Sequence, residues 1–213
     1  MSLKIFSGFA LKVIGTLLMV IDHIGYFIPS SPAYFRWIGR IVAPMFFFLA
    51  TEGYDHTRDR NKYIKRLYIA ALVMFVGSII LLIPFREEAF ITNNIFFTLA
   101  VNLSLIKEIE KDERNKLLII IFILLALIAE GSFLATTQIL IFYYLKQDKK
   151  KMSIAYVITS LLLIPDVQWM QVFSLPFILM YNGQRGTNIK KFFYIFYPAH
   201  IWMLFIISHY MYH

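Results

Sequence analysis

Two adjacent ionisable residues, Asp22 and His23, lie near the end of an otherwise apolar run, Leu11–Phe27. The run is long enough to cross a bilayer, which takes roughly 17–25 residues. Inserting an Asp, Lys or Arg side chain at membrane depth costs at least ~2.5–3.5 kcal/mol of free energy. Ionisable residues in such positions therefore usually have a partner or a function. A histidine can exchange a proton near neutral pH, which suits a general base. The alternative is a His–Asp pair that only holds helices together.

Asp22 needs a partner other than its neighbour. Adjacent residues on a helix point about 100° apart, so Asp22 does not simply orient the His23 ring. Arg36 and Arg40 lie at i, i+4 where the second predicted helix enters the membrane. We predict that Asp22 pairs with one of them, Arg40 being the more deeply buried. The alternative for both arginines is anchoring at the interface.

Lys12 shares a helix face with Thr16 and His23. At ~1.5 Å per residue, Lys12 lies roughly 16 Å from His23, on the cytoplasmic side. This face could hold an elongated ligand with a phosphate head. A lysine that merely extends its charge to the interface would give the same pattern.

Basic residues at the inner ends of later helices are further candidates for phosphate binding. Glu52 and His56 lie one turn apart, with Arg58 and Arg66 following, and Arg185 lies in a Gly-rich turn, NGQRG. Arginine binds phosphate bidentately, but a solvated basic loop is the default interpretation. Two possible ligands, Glu52 and His56, do not make a metal site, so no metal is expected.

Polar residues also occur inside two later helices. Asn94, Thr98 and Asn102 form an i, i+4, i+8 stripe, which predicts either an interhelical hydrogen-bond seam or a ligand-lining face. His200 follows Pro198 within the last helix and is a second proton-handling candidate or a packing group.

The composition identifies the class of protein. The 213 residues are 59% hydrophobic and 16% charged, against about 25% charged in soluble domains. The chain has no cysteine, which excludes disulfides, thiolate metal sites and cysteine nucleophiles.

From this composition we predict an all-α, polytopic membrane protein with a single domain over residues 1–213. The predicted helices are Leu11–Ile28, Trp37–Thr51, Leu67–Pro84, Asn94–Ile106, Leu117–Ala129, Phe133–Leu145, Met152–Ile164, Trp169–Tyr181 and Phe192–Tyr210. The eighth contains Pro176 and is the weakest, being tilted, broken or re-entrant.

The distribution of positive charge predicts the orientation. With a cytoplasmic N-terminus and an uncleaved first helix, every Lys and Arg lies inside except Arg36, Arg40 and Arg86. The net charge of +8 is then explained by anionic membrane lipid, with no nucleic acid partner. A multi-pass protein of the cell (plasma) membrane is expected.

Six strings of the chain resemble the TraX family of membrane proteins. They are LKVIGTLLMVIDHIG (Leu11–Gly25), RWIGRIVAPMFFFLATEGYDHTR (Arg36–Arg58), YIKRL (Tyr63–Leu67), NIFFTL (Asn94–Leu99), NGQRG (Asn182–Gly186) and KFFYIFYPAH (Lys191–His200). The family is known for acetylating the N-terminus of conjugative pilin. It is similar to multi-pass acyltransferases that take acyl-CoA from the cytoplasm and often place an essential histidine where His23 lies.

The resemblance implies an acyl-CoA-dependent O- or N-acyltransferase, most simply one that uses acetyl-CoA. His23 would be the general base, with Asp22 beside it, and Asn94 or Thr98 would donate to the developing oxyanion. Arg36 and Arg40 would position the acceptor, which is a glycan, a peptide such as pilin, or a small amphiphile. A covalent acyl-histidine stays open as an alternative. The residues expected to bind CoA are Lys12, Glu52, His56, Arg58, Arg66 and Arg185.

Two other functions are weighed against acyl transfer. A proton-coupled transporter would use Asp22, His23 and His200 as a relay, although no inverted repeat is visible. A non-catalytic assembly factor would pair all its intramembrane ionisable groups and leave no cavity.

Overall fold

The computed structural model describes residues 3–85 and 90–212, so Arg86 lies outside the described residues. Within these ranges the chain is helical, without strands, and Phe6 and Tyr181 form an isolated parallel bridge. The helices are α1 (Gly8–Phe27), α2 (Tyr34–Gly39), α3 (Val42–Asp55), α4 (Arg60–Leu82), α5 (Ile95–Ile109), α6 (Lys116–Ile128), α7 (Ser132–Tyr144), α8 (Lys149–Leu161), a 3₁₀ helix (Val167–Ser174), α9 (Leu175–Leu179) and α10 (Lys190–Tyr212).

The helices group into two compact units. The first unit comprises Met1–Leu49 and Leu145–His213, and the second comprises Ala50–Tyr144. The single domain over residues 1–213 stays a prediction.

Helix α1 carries the central face of the first unit. Ser7 caps it, its side chain accepting a hydrogen bond from the Ala10 N–H at 3.2 Å. Every fourth residue of one face is buried: Leu11, Gly15, Met19 and His23. This spacing lays one continuous stripe along the helix, and α1 packs against α2 and α10. The stripe therefore holds His23 in the protein interior.

The second predicted helix, Trp37–Thr51, is interrupted in the structure. Helix α2 ends at Gly39 and α3 begins at Val42. The Arg40 and Ile41 N–H groups bond three residues back, to Trp37 and Ile38, both at 3.2 Å. Pro44 has no N–H with which to continue the α-helical ladder to the Arg40 carbonyl. The prediction of one continuous helix was wrong, and the break sets the position of Arg40.

The eighth predicted helix, Trp169–Tyr181, is also divided. The structure has the 3₁₀ helix first and then the short α9, with Pro176 in its first turn. The Tyr156 hydroxyl of α8 lies 2.7 Å from both the Gln171 carbonyl and the Ser174 hydroxyl. These bonds anchor the 3₁₀ helix to α8 inside the first unit.

Helix α5 is the core of the second unit. All its residues from Thr98 to Ile106 are buried, and α4, α6 and α7 pack around it. Because α5 is buried, its polar stripe of Thr98 and Asn102 faces protein on every side.

Helix α4 is capped by Asp59, whose carboxylate accepts a hydrogen bond from the Lys62 N–H at 2.9 Å.

Among the described residues, three helices are long and apolar enough to cross a membrane: Gly8–Phe27, Arg60–Leu82 and Lys191–Met211. The apolar side chains that α4, α6 and α10 expose, such as Leu72, Ile128 and Ile195, fit contact with lipid. The protein is therefore an all-α membrane protein. The apolar helices α6 and α7 have 13 residues, or roughly 20 Å, which is short of the ~30 Å hydrocarbon core. The count of nine spans stays a prediction.

Candidate functional site

The first unit brings His23 of α1 and His200 of α10 into direct contact. His23 Nδ1 lies 2.7 Å from His200 Nε2. The rings are nearly parallel, with centroids 4.9 Å apart and an interplanar angle of 20°. Both residues are buried, with only 6% of His23 and 4% of His200 exposed. The two histidines singled out separately in the sequence thus form one buried pair.

The backbone of α10 determines which nitrogens of this pair carry protons. His200 Nδ1 lies 2.8 Å from the Phe196 carbonyl oxygen. A carbonyl only accepts, so Nδ1 of His200 carries the hydrogen. In the neutral ring Nε2 is then an acceptor, and the Nδ1–H of His23 donates to it. His23 Nε2 is left with its lone pair, as a general base requires.

Aromatic rings enclose the histidine pair. Phe196 stacks on His200 at a centroid distance of 5.0 Å and an angle of 11°. Tyr197 and Phe27 contact the His23 ring edge-on, at 6.2 Å and 6.5 Å. These rings exclude water and restrict rotation of both imidazoles, so the hydrogen-bonded geometry is maintained by packing.

Asp22 binds both predicted arginines. Its Oδ1 accepts hydrogen bonds from Arg36 Nη1 at 2.5 Å and from Arg40 Nη2 at 2.8 Å. Arg36 also donates to the Asp22 carbonyl at 3.2 Å, and Arg40 Nε donates to the Arg36 carbonyl at 2.9 Å. The prediction that Asp22 pairs with one of these arginines is confirmed, with two cations instead of one. The cluster carries a net positive charge next to His23 in the chain.

Gly39, which the sequence analysis did not single out, makes this ion cluster possible. A Cβ placed on Gly39 would overlap the Asp22 carboxylate. Gly25 plays a related part in α1, since its Cβ would lie 2.9 Å from the Phe35 Cβ and 3.1 Å from the Arg36 Cδ. The only sequence signal was the presence of glycine at both positions.

The Gly-rich turn at Asn182–Gly186 packs on the beginning of α1. The Gly8 and Phe9 N–H groups donate to the carbonyls of Gln184 and Arg185, at 2.7 Å and 2.9 Å. The Lys12 ammonium lies above the Phe193 ring at 5.8 Å, close enough to Arg185 for electrostatic repulsion. Two predicted phosphate-binding cations are therefore neighbours.

The other predicted CoA-binding residues belong to the second unit. His56 Nδ1 lies 2.9 Å from the Glu52 backbone carbonyl oxygen. Arg66 stacks on Tyr63 at 5.6 Å, and Arg58 is exposed. The role of these residues in binding CoA stays a prediction.

Asn94 and Thr98 use their side-chain donors within the second unit. Asn94 Nδ2 donates to the Ala71 carbonyl at 3.0 Å, and Thr98 Oγ1 donates to the Glu130 carbonyl at 2.9 Å. The Glu130 carboxylate accepts from the Asn94 N–H at 2.7 Å. This is the pattern of a seam between helices. Donation to an oxyanion would require either donor to leave its carbonyl, so that role stays a prediction.

A polar cluster around Arg60 was missed in the sequence. Arg60 lies 2.9 Å from the Glu110 carboxylate and 3.5 Å from that of Asp55, and its guanidinium stacks on Tyr54 at 4.5 Å. Tyr143 donates to Glu110 at 2.5 Å. The cluster joins residues far apart in the chain, and its partners could not be read from local spacing.

The fold and the buried histidine pair define an all-α membrane protein with paired ionisable groups inside its first unit. The chain belongs to the TraX family: the family model described as TraX protein matches residues 7–208. This confirms the resemblance found in the sequence.

The chain is also 29% identical over 230 residues to the probable fimbrial assembly protein FimC, serogroup H1, of Dichelobacter nodosus. That alignment covers 93% of this chain and 94% of the relative. No solved structure matches the chain.

Proposed function

We propose that the protein is a membrane-embedded acyltransferase that moves an acyl group, most simply acetyl, from CoA to an acceptor hydroxyl or amine. The observation that carries the proposal is the His23–His200 pair, which leaves His23 Nε2 as a base inside the protein.

In the proposed reaction the acceptor O–H or N–H gives its proton to His23 Nε2 as the oxygen or nitrogen attacks the thioester carbonyl. The carbon–sulfur bond breaks, and the CoA sulfur takes the proton from His23. The products are the acylated acceptor and free CoA. His200 acts as a positioning residue: its Nε2 accepts from His23 Nδ1 and stabilises the imidazolium that forms. A general base of this kind is typically worth 10²–10⁴-fold in rate.

Lys12 and Arg185 are the residues we propose for the CoA phosphates. They are two neighbouring cations of the first unit, and Lys12 lies on α1 eleven residues before His23. The separation along α1, roughly 16 Å, suits a ligand whose phosphates and thioester lie far apart. The charge of Asp22, Arg36 and Arg40 would act on the acceptor side of His23.

The name of the Dichelobacter relative, a probable fimbrial assembly protein, supports an acceptor that belongs to a surface fimbria, and pilin is the acceptor we propose to try first. The same name favours the second candidate function, a non-catalytic assembly factor. The two differ in one respect: only the acyltransferase consumes acyl-CoA.

The test uses the full chain in lipid nanodiscs with radiolabelled acetyl-CoA and membranes that supply acceptors. We expect label to enter a membrane or surface component with the wild type and not with His23→Ala. His209→Ala, a histidine change elsewhere on α10, is the matched control and should retain transfer. Full transfer by His23→Ala would refute the assignment of the base. Failure of the wild type to consume acetyl-CoA or longer acyl-CoAs would favour the assembly factor.

A further inference from the structure

A pocket of the second unit is lined by none of the residues of the proposed reaction. This pocket, of about 400 Å³, opens between α4, α5 and α6. Its lining changes from polar to apolar along α4, from Asn61 and Lys65 through Tyr68 to Ile69 and Leu72. Asn61 to Leu72 spans roughly 16 Å of helix at ~1.5 Å per residue.

The polar end of the pocket is positively charged. Lys65 and Lys107 both line it, and Lys107 donates to the Asn61 side-chain oxygen. Glu108 also lines the pocket, but its carboxylate forms an ion pair with Lys111 at 2.6 Å and accepts a hydrogen bond from the Asn115 N–H at 3.0 Å. Within the part of the chain that the structure describes, Lys65 has no ion-pair partner. Two lysines are therefore available for one anionic group.

The remainder of the pocket suits a glycerol ester and a hydrocarbon chain. The Tyr68 and Ser104 hydroxyls lie 3.2 Å apart one turn beyond the lysines. Beyond them the apolar side chains open outwards, with 51% of Ile69 and 60% of Leu72 exposed. Phe122 of α6 completes this wall. A ligand bound here would have a charged head, a moderately polar middle and an apolar tail in contact with the bilayer.

We propose that this pocket binds one anionic glycerophospholipid of the cytoplasmic leaflet. The phosphate would lie between Lys65 and Lys107, the ester region beside Tyr68 and Ser104, and an acyl chain along Ile69 and Leu72. Charge complementarity selects an anionic headgroup over a zwitterionic one, since a choline or ethanolamine cation would meet the two lysines. Free phosphate or CoA would leave the exposed apolar half of the pocket unfilled. This inference is independent of the proposed acyltransferase activity.

Native mass spectrometry of the detergent-purified chain tests the proposal with dioleoyl-phosphatidylglycerol against dioleoyl-phosphatidylcholine. We expect the wild type to retain phosphatidylglycerol preferentially, and Lys65→Gln/Lys107→Gln to bind it roughly 30-fold more weakly. The control Lys116→Gln/Lys150→Gln removes the same charge from exposed positions that do not line the pocket, and it should bind like the wild type. Leu72→Trp, which fills the apolar half and leaves both lysines, should also lose the lipid.

Three results would overturn the proposal. The first is equal retention of the two lipids by the wild type, and the second is equal binding by the pocket variant and the control variant. The third is displacement of phosphatidylglycerol by glycerol 3-phosphate or by CoA, which would assign the pocket to a soluble phosphate ligand. Should Lys65→Gln/Lys107→Gln fail to fold, the lipid preference of the wild type and the Leu72→Trp result decide the question.

Discussion

His23 Nδ1 lies 2.7 Å from His200 Nε2, although 177 residues separate the two histidines in the chain. The Phe196 carbonyl, 2.8 Å from His200 Nδ1, accepts its hydrogen, so hydrogen bonds are donated from His23 to His200 and from His200 to Phe196. The pair therefore has a direction: His23 is the donor and His200 is the acceptor, and the Nε2 of His23 is the base that we propose. A substitution of either residue tests a different part of this arrangement.

Variants of His200 should rank by their ability to accept a hydrogen bond. In His200→Gln the side-chain oxygen can replace Nε2 as the acceptor for His23, whereas His200→Leu offers none. We expect kcat for acetyl transfer to fall in the order wild type, His200→Gln, His200→Leu, with KM for acetyl-CoA little changed. The double variant His23→Ala/His200→Leu should be no slower than His23→Ala, because residues that act as a unit are not additive. Equal rates for Gln and Leu would show that His200 only packs.

Removing Asp22 should destabilise the first unit. Asp22→Ala would leave two adjacent guanidiniums without their anion, and the Arg40 side chain is only 12% exposed. Breaking a buried pair in this way typically costs about 3–5 kcal/mol. We expect a clear drop in thermal stability in detergent, part of which Asp22→Ala/Arg40→Leu should restore. Arg36→Ala is the milder comparison, since the Arg36 side chain is 32% exposed. A double variant no more stable than Asp22→Ala would argue against repulsion as the cause.

Gly39→Ala should weaken the same cluster from the opposite side. The added methyl group would overlap the Asp22 carboxylate, and overpacking of this kind typically costs about 1–3 kcal/mol. Gly8→Ala is the control, because its Cβ would meet its nearest neighbour, the Arg185 carbonyl oxygen, at 3.4 Å. The measurement is thermal unfolding of both variants beside the wild type. Equal stability of the two variants would show that Asp22 moves aside freely.

The helical fold could be predicted from the sequence because long apolar segments alternate with short segments rich in lysine and arginine. Most of the predicted boundaries lie within a few residues of the observed ones; α6, for example, was expected at Leu117–Ala129 and is found at Lys116–Ile128. Leu67 was placed at the start of the third helix, although α4 begins seven residues earlier at Arg60. A hydropathy pattern detects the apolar part of a helix. It misses the polar turns by which the helix continues beyond that part.

The candidate site was predictable only where its parts are local. Asp22 and the Arg36–Arg40 spacing indicated an ion pair, and the pair is present. The contact of His23 with His200 depends on the packing of α1 against α10, which no local pattern specifies. The break between α2 and α3 depends on i, i+3 bonds and on the fit of Gly39 against Asp22. Pro44 was a visible signal, but prolines are common in membrane helices and do not by themselves predict an interruption.

Charge at Asp59 should make the start of α4 sensitive to acid. Hydrogen bonds from the Lys62 backbone and ammonium lower the pKa of Asp59 below its ordinary value of 3.8. A carboxyl group whose pKa is lower in the folded state than in the unfolded state stabilises the fold when the pH is above its ordinary pKa. This stabilisation is lost as the pH falls through the pKa of the folded state. We expect hydrogen exchange at Lys62 to accelerate below pH 3.8 relative to a neighbouring turn. Asp59→Asn keeps a cap acceptor without a charge, so its exchange should lack this pH dependence. An unchanged dependence in Asp59→Asn would assign the effect to another carboxyl group.

Lys12 and Arg185 should govern binding of the donor and leave the chemical step intact. Both carry the positive charge proposed to meet the CoA phosphates, and neither contacts the His23–His200 pair in the described structure. Lys12→Gln and Arg185→Gln should each raise KM for acetyl-CoA with kcat little changed, because uniform binding is lost. The matched control is Lys150→Gln, which removes an exposed cation from the N-terminal turn of α8. Raising the salt concentration should reduce the difference between wild type and Arg185→Gln, since Arg185 is exposed and exposed charges are screened. A fall in kcat at constant KM would instead connect these cations to the positioning of the thioester, and identical kinetics in all three variants would remove them from the donor site.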